Sequence, residues 1–117
     1  MRYPTSGANA AALDSTQGDL LLGGAITSGR ILWLRSAWFY NSHASEDAII
    51  NLQDGSSDCT VSTATVQMGG IVCPFGKFTM VDIPAPGLKF STGCSALKDT
   101  TAGTVAIGDC GGNGYEE

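Results

Sequence analysis

Turn signals cut this chain into short pieces, and that division constrains its fold more than any other feature. Between its glycines, its prolines and the Asp54-Gly55 pair lie apolar and β-branched runs that alternate with polar residues, at a spacing of roughly 8 to 12 residues. No run combines the length and the 3.6-residue period of a stable helix. Short alternating runs at even spacing are the pattern of a β-sandwich or barrel. Strands are expected over 19–23, 30–41, 47–54, 60–68, 77–83, 87–91, 94–97 and 103–108.

The strongest of these is GRILWLRSAWFYN, residues 29–41. Leu32, Leu34 and Ser36 alternate with Ile31, Trp33 and Arg35, so both faces carry apolar bulk. On an uninterrupted strand Trp33 and Trp38 fall on opposite faces, because they are an odd number of residues apart. Ala48, Ile50 and Leu52 share one face of the next run. In GKFTMVDIP, Phe78, Met80 and Asp82 alternate with Thr79, Val81 and Ile83, and the second set should face inward because Asp82 prefers water. That strand must stop at Ile83, since Pro84 and Pro86 have no N–H to give a ladder. Gly87 then allows the chain to reverse or to cross to a second sheet before Leu88 and Phe90 re-enter the core.

With 117 residues the chain makes one domain, large enough to bury roughly two-thirds of its unfolded surface. Residues 1–18 are small and polar, with Leu13 as an apolar anchor, and Pro4, Gly7, Asn9 and Gly18 discourage a helix. They read as an extended arm, either free or tied down by a neighbour. Residues 19–108 form the sandwich, and the glycine-rich 109–117 read as a flexible tail.

Composition narrows the function. A net charge of −5 with six scattered basic residues does not suit a nucleic-acid partner, whose phosphates need cations. No run approaches the ~20 apolar residues of a membrane helix, and the first residues lack the basic-then-apolar order of a signal peptide. The expectation is a soluble product of the cytosol. His43 is the only histidine, and Ser42, Ser45, Glu46 and Asp47 follow one another around it on one loop instead of converging from separate elements as a triad requires. A solvated turn, no catalytic residue and no enzyme are therefore expected. DGSSD, residues 54–58, lacks the ligand spacing of a calcium loop and reads as an Asp-Gly turn.

Cys59, Cys73, Cys94 and Cys110 form no CxxC or Cys/His cluster, so neither a metal nor any other cofactor is expected. Four cysteines allow three pairings. In a cytosolic product they stay as thiols; disulfides formed later in an oxidising medium are the alternative. Trp33, Trp38, Phe39 and Tyr40 are candidates for contact with a neighbouring subunit, because aromatics supply interface area at low entropic cost. Exposed aromatics also suit stacking on sugars, which makes a glycan-binding sandwich the alternative reading.

RILWLRSAWFYNSHASEDAIINLQDGSS, FTMVDIPAPGLKFSTGCSAL and GTVAIG together resemble the small virion structural proteins of tailed bacteriophages, in particular short jelly-roll decoration, or cement, proteins. The shared layout is a long strand, a polar turn, a strand closing on Asp-Gly, the corner from Asp82 to Gly93 and a short last strand, about two-thirds of the chain. The resemblance implies an all-β, jelly-roll-like antiparallel sandwich of seven or eight strands, forming a homotrimer on the outer surface of the capsid. Its partner would be the major capsid protein, with Leu13, Trp33, Trp38, Phe39 and Tyr40 as contact candidates. It would reinforce the head against internal DNA pressure, with Cys59, Cys73, Cys94 and Cys110 as candidate locks within or between subunits. A fibre or tail component of a virion is a further alternative.

Overall fold

The computed structural model describes residues 1–9, 18–22, 24–56, 59, 64–99 and 107–117, and among them the regular structure is entirely β. Nine strands run in order: β1 Tyr3–Asn9, β2 Asp19–Leu20, β3 Leu32–Asn41, β4 Ala48–Asp54, β5 Thr65–Cys73, β6 Lys77–Asp82, β7 Leu88–Phe90, β8 Cys94–Lys98 and β9 Ile107–Glu116. They form two antiparallel sheets in a sandwich. One has the order β1-β9-β3-β6, with β7 also paired to β3; the other has the order β2-β8-β4-β5.

Alternation decides what fills the space between the sheets. Leu32, Leu34, Ala37 and Phe39 of β3, with Phe90 and Cys110, meet Ala48, Ile50 and Leu52 of β4, with Cys73, Cys94 and Ala96. The inward sets expected on residues 48–52 and 79–83 take those places, with Ile83 buried and Val81 packed against the core. Each large side chain sealed there contributes about 1.5–3 kcal/mol of hydrophobic stabilisation. Phe39 is fully buried among them.

The alternation of β3 is broken once. Its register against β9 shifts between Leu34 and Ser36. The extra residue at Arg35 reverses the parity, so Trp33 and Trp38 point out on the same face while Leu34 and Ala37 both point in. Sequence spacing alone placed the two indoles on opposite faces.

The proline corner answers to this bulge. β6 pairs with Ser36–Asn41 and β7 with Leu32–Leu34, both along the same edge of β3 and in the same direction. The corner therefore neither reverses the chain nor carries it to the second sheet, as the prolines and Gly87 suggested; it interrupts one strand. Ile83 N–H donates to the Arg35 carbonyl at 2.9 Å, and Arg35 Nε donates back to the Ile83 carbonyl at 3.1 Å. Gly87 closes the corner with φ +114°, and a Cβ there would sit 2.7 Å from the Leu34 carbonyl oxygen.

The C-terminal end of the chain differs from expectation. Residues 109–117, read as a flexible tail, lie almost wholly in β9, which runs between β1 and β3 and pairs with both. Glycine's low strand propensity is overridden because ladders on two sides satisfy the backbone. Within the arm, Tyr3–Asn9 is extended as expected and is tied residue by residue to β9 as the edge strand β1. Arg30 fastens the two together: its guanidinium lies 3.7 Å from the Tyr3 ring centroid and 3.6 Å from the Glu116 carboxylate.

The fifth strand also differs, running over 65–73 where 60–68 was expected, with Gly69 and Gly70 inside it. Leu13, residues 60–63 and the start of the expected strand at 103–108 lie outside the described residues.

Candidate functional site

Among the described residues no group of three His, Cys, Asp or Glu side chains is gathered for a metal, and no helix is long and apolar enough to cross a membrane. The four cysteines are buried thiols. Burial pushes the Cys73 thiol up to about 11, against a hydrogen bond with Thr79 that pulls it down. Burial, with the Asp54 charge nearby, raises Cys94 further. Burial and a raised pKa make Cys73 and Cys94 poor nucleophiles in the folded chain.

Two polar centres in the loops are structural. His43 Nδ1 accepts the backbone N–H groups of Ser45 and Glu46 at 3.1 and 2.9 Å, which folds the 42–47 loop around the ring. Asn41, fully buried at the end of β3, donates to the carbonyls of Glu46 and Cys73 and accepts the His43 N–H. Asp54 is occupied in the same way, with its carboxylate taking hydrogen bonds from Ser91, Thr92 and Gly93. Burial alone would raise its pKa, but these donors outweigh it and hold the carboxyl below its ordinary value.

What remains is surface. Among the described residues the exposed large apolar side chains are Met1, Tyr3, Val66, Val72, Phe75, Phe78 and Met80. Five of these seven lie between residues 66 and 80, on β5, on β6 and in the turn joining them. β5 and β6 are edge strands of the two sheets, each paired on one side only. β5 carries no charged side chain along its nine residues, so it lacks the lysines and prolines with which sheet edges are commonly protected.

This side continues onto the outer face of the first sheet. The register pairs Trp38 with Met80 and Tyr40 with Phe78. The Phe78 ring packs 4.9 Å from Tyr40 and 6.0 Å from Trp38, tilted against both, and is itself 65% exposed. Trp38 lies across β9 at Gly111, where an added Cβ would come within 2.8 Å of Cε2 and Cζ2 of the indole. The missing side chain at Gly111 is what lets the ring lie down on the sheet.

Of the contact candidates in the sequence, Trp33, Trp38 and Tyr40 are half-buried on this outer face. Phe39 points the other way and is core, so it touches no partner. Phe78 and Met80, exposed and beside Trp38, belong to the surface; the alternation that put them opposite Val81 and Ile83 already marked them as outward. Val72 and Phe75 were missed because Gly69 and Gly70 read as the end of a strand. No family model, curated protein or solved structure matches this chain.

Proposed function

We propose that this chain is a capsid decoration protein of a tailed bacteriophage, a trimer seated on the outer surface of the head that stiffens the lattice against internal pressure. The reading is carried by Phe78 and Met80, each 65% exposed at the open edge of the first sheet beside Trp38 and Tyr40. Exposed aromatic and apolar side chains at an open sheet edge are a protein contact waiting to be covered. A protein that acts by covering and clamping needs such a surface and no chemical step.

Strand order supports the finer reading of the fold. With β6 and β7 counted as one strand broken at the proline corner, the sheets read 1-8-3-6 and 2-7-4-5. In that order only β4 and β5 are consecutive neighbours in one sheet, and the other connections cross between sheets, the arrangement of two interlocked Greek keys that makes a jelly roll. The same order is what the resemblance of residues 30–107 to phage decoration proteins implies. Three modest contacts on one rigid trimer add to strong retention, so a small chain suffices as a clamp.

The test is co-sedimentation of the purified chain with empty heads of the virus that encodes it. Saturable pelleting with many copies per head, lost in Phe78→Asp/Met80→Asp, is expected. A chain that stays in the supernatant, or pellets at about the stoichiometry of a single closure ring, sinks the reading.

A further inference from the structure

Two rows of side chains lie next to each other on the outer face of the first sheet, and their chemistry differs. One runs Gly111, Trp38, Met80 across β9, β3 and β6. The other, one residue pair along, runs Asn113, Ser36, Asp82 across the same three strands. Residues two apart on a strand are roughly 7 Å apart, so the polar row begins where the indole ends.

The polar row is solvent-facing and has unused capacity. Ser36 Oγ donates to Asn113 Oδ1 at 2.9 Å, which leaves the two N–H donors of the Asn113 amide for a ligand. Asp82 is exposed and supplies acceptor oxygens. Trp38 is half-buried, with Gly111 against its indole and the Phe78 ring tilted 6.0 Å away, and its remaining exposed area is what a ligand would stack on.

We propose that these rows form a binding site for a neutral hexopyranose within a glycan chain: the C–H face of the sugar stacks on Trp38, and adjacent hydroxyls bridge Asn113 and Asp82. A pyranose has this pairing of an apolar face and a rim of hydroxyls that both donate and accept. A nucleic-acid strand also stacks on indole, but its phosphates would meet the Asp82 carboxylate and a chain of net charge −5. A protein partner is disfavoured because interface cores are depleted in charge, and Asp82 lies in the row itself. Met80 borders both this site and the apolar edge at Phe78, and a particle carrying many copies would hold glycans through multivalency.

The experiment is amide-resolved NMR titration of the full chain with cellohexaose, maltohexaose, mannohexaose and galactohexaose at millimolar concentration. At least one sugar is expected to give saturable shifts at Ser36, Trp38, Asp82 and Asn113. Its affinity should fall at least tenfold in Trp38→Ala and equally in Asp82→Ala/Asn113→Ala. The double variant replaces exposed residues only, so it decides the matter even if Trp38→Ala disturbs the sheet. Two results overturn the site: no saturable shift with any of the four sugars, or binding undiminished in the double variant.

Discussion

Asp54 and Ser91 lie 37 positions apart and are joined through both the backbone and the side chain: Ser91 N–H and Oγ–H donate to the carboxylate at 3.1 and 2.9 Å. With the N–H groups of Thr92 and Gly93 on the same carboxylate, the end of β4 fixes the turn from which β8 starts. Asp54→Ala should destabilise the fold by about 1 kcal/mol, the usual worth of such bonds at a partly solvated site. The folded carboxyl titrates below the ordinary value of 3.8, so its contribution is complete above that value and is lost as pH falls through the lower, folded one. Urea melts between pH 7 and pH 2 should show a loss in the wild type that Asp54→Asn lacks; parallel pH profiles would remove this role.

Phe39 and Phe78 are both aromatic residues on paired strands, yet they should respond in opposite ways. Phe39→Ala opens a cavity in a filled core and should cost about 3–5 kcal/mol, a large part of the ~5–15 kcal/mol that holds a domain of this kind. Phe78→Ser changes an exposed ring and should move the stability of the subunit by no more than about 0.5 kcal/mol. Thermal melts of the two variants in dilute solution check the assignment. Similar losses in both would place Phe78 in the core.

Removal of residues 109–117 is a test of β9. A flexible tail can be cut without consequence. A strand paired on both sides cannot: its loss strips β1 of the sheet neighbour it has among the described residues and exposes the Cys110 side of the core. The truncated chain should lose its dispersed amide spectrum. A folded, cooperative truncation product would contradict the central position of β9.

The thiols should be silent in the folded protein. Alkylation at pH 8 followed by mass measurement should leave Cys73 and Cys94 unmodified, because they are buried and protonated, while all four react in denaturant. Masses with and without reductant should agree. A mass lower by two or four hydrogens in the non-reduced sample would show disulfides and contradict sealed thiols.

Much of the sandwich was legible because alternation reports burial directly: the inward sets on β4 and β6 follow from residue identity alone. Three features were not legible, and each depends on a partner distant in sequence. The bulge at Arg35 exists because the β6–β7 interruption must be matched on β3, and no local signal marks it. β9 looks like a tail because four glycines carry no strand propensity; only the indole of Trp38 lying across Gly111 and the ladders on either side make it a strand. β5 continues through Gly69 and Gly70 because Asn51 Oδ1, on the neighbouring strand, takes the Gly70 N–H at 3.0 Å. The apolar surface was half visible for the same reason: Phe78 and Met80 alternate in plain view, whereas Val72 and Phe75 follow a glycine pair that looks like an ending.

Native mass spectrometry of the wild type beside Phe78→Asp/Met80→Asp tests the central claim, that the β6 edge carrying Phe78 and Met80 is a surface covered by protein, most directly. The account predicts a trimer for the wild type and a folded monomer for the variant. A monomeric wild type, or a trimer that persists unchanged in the variant, would contradict it.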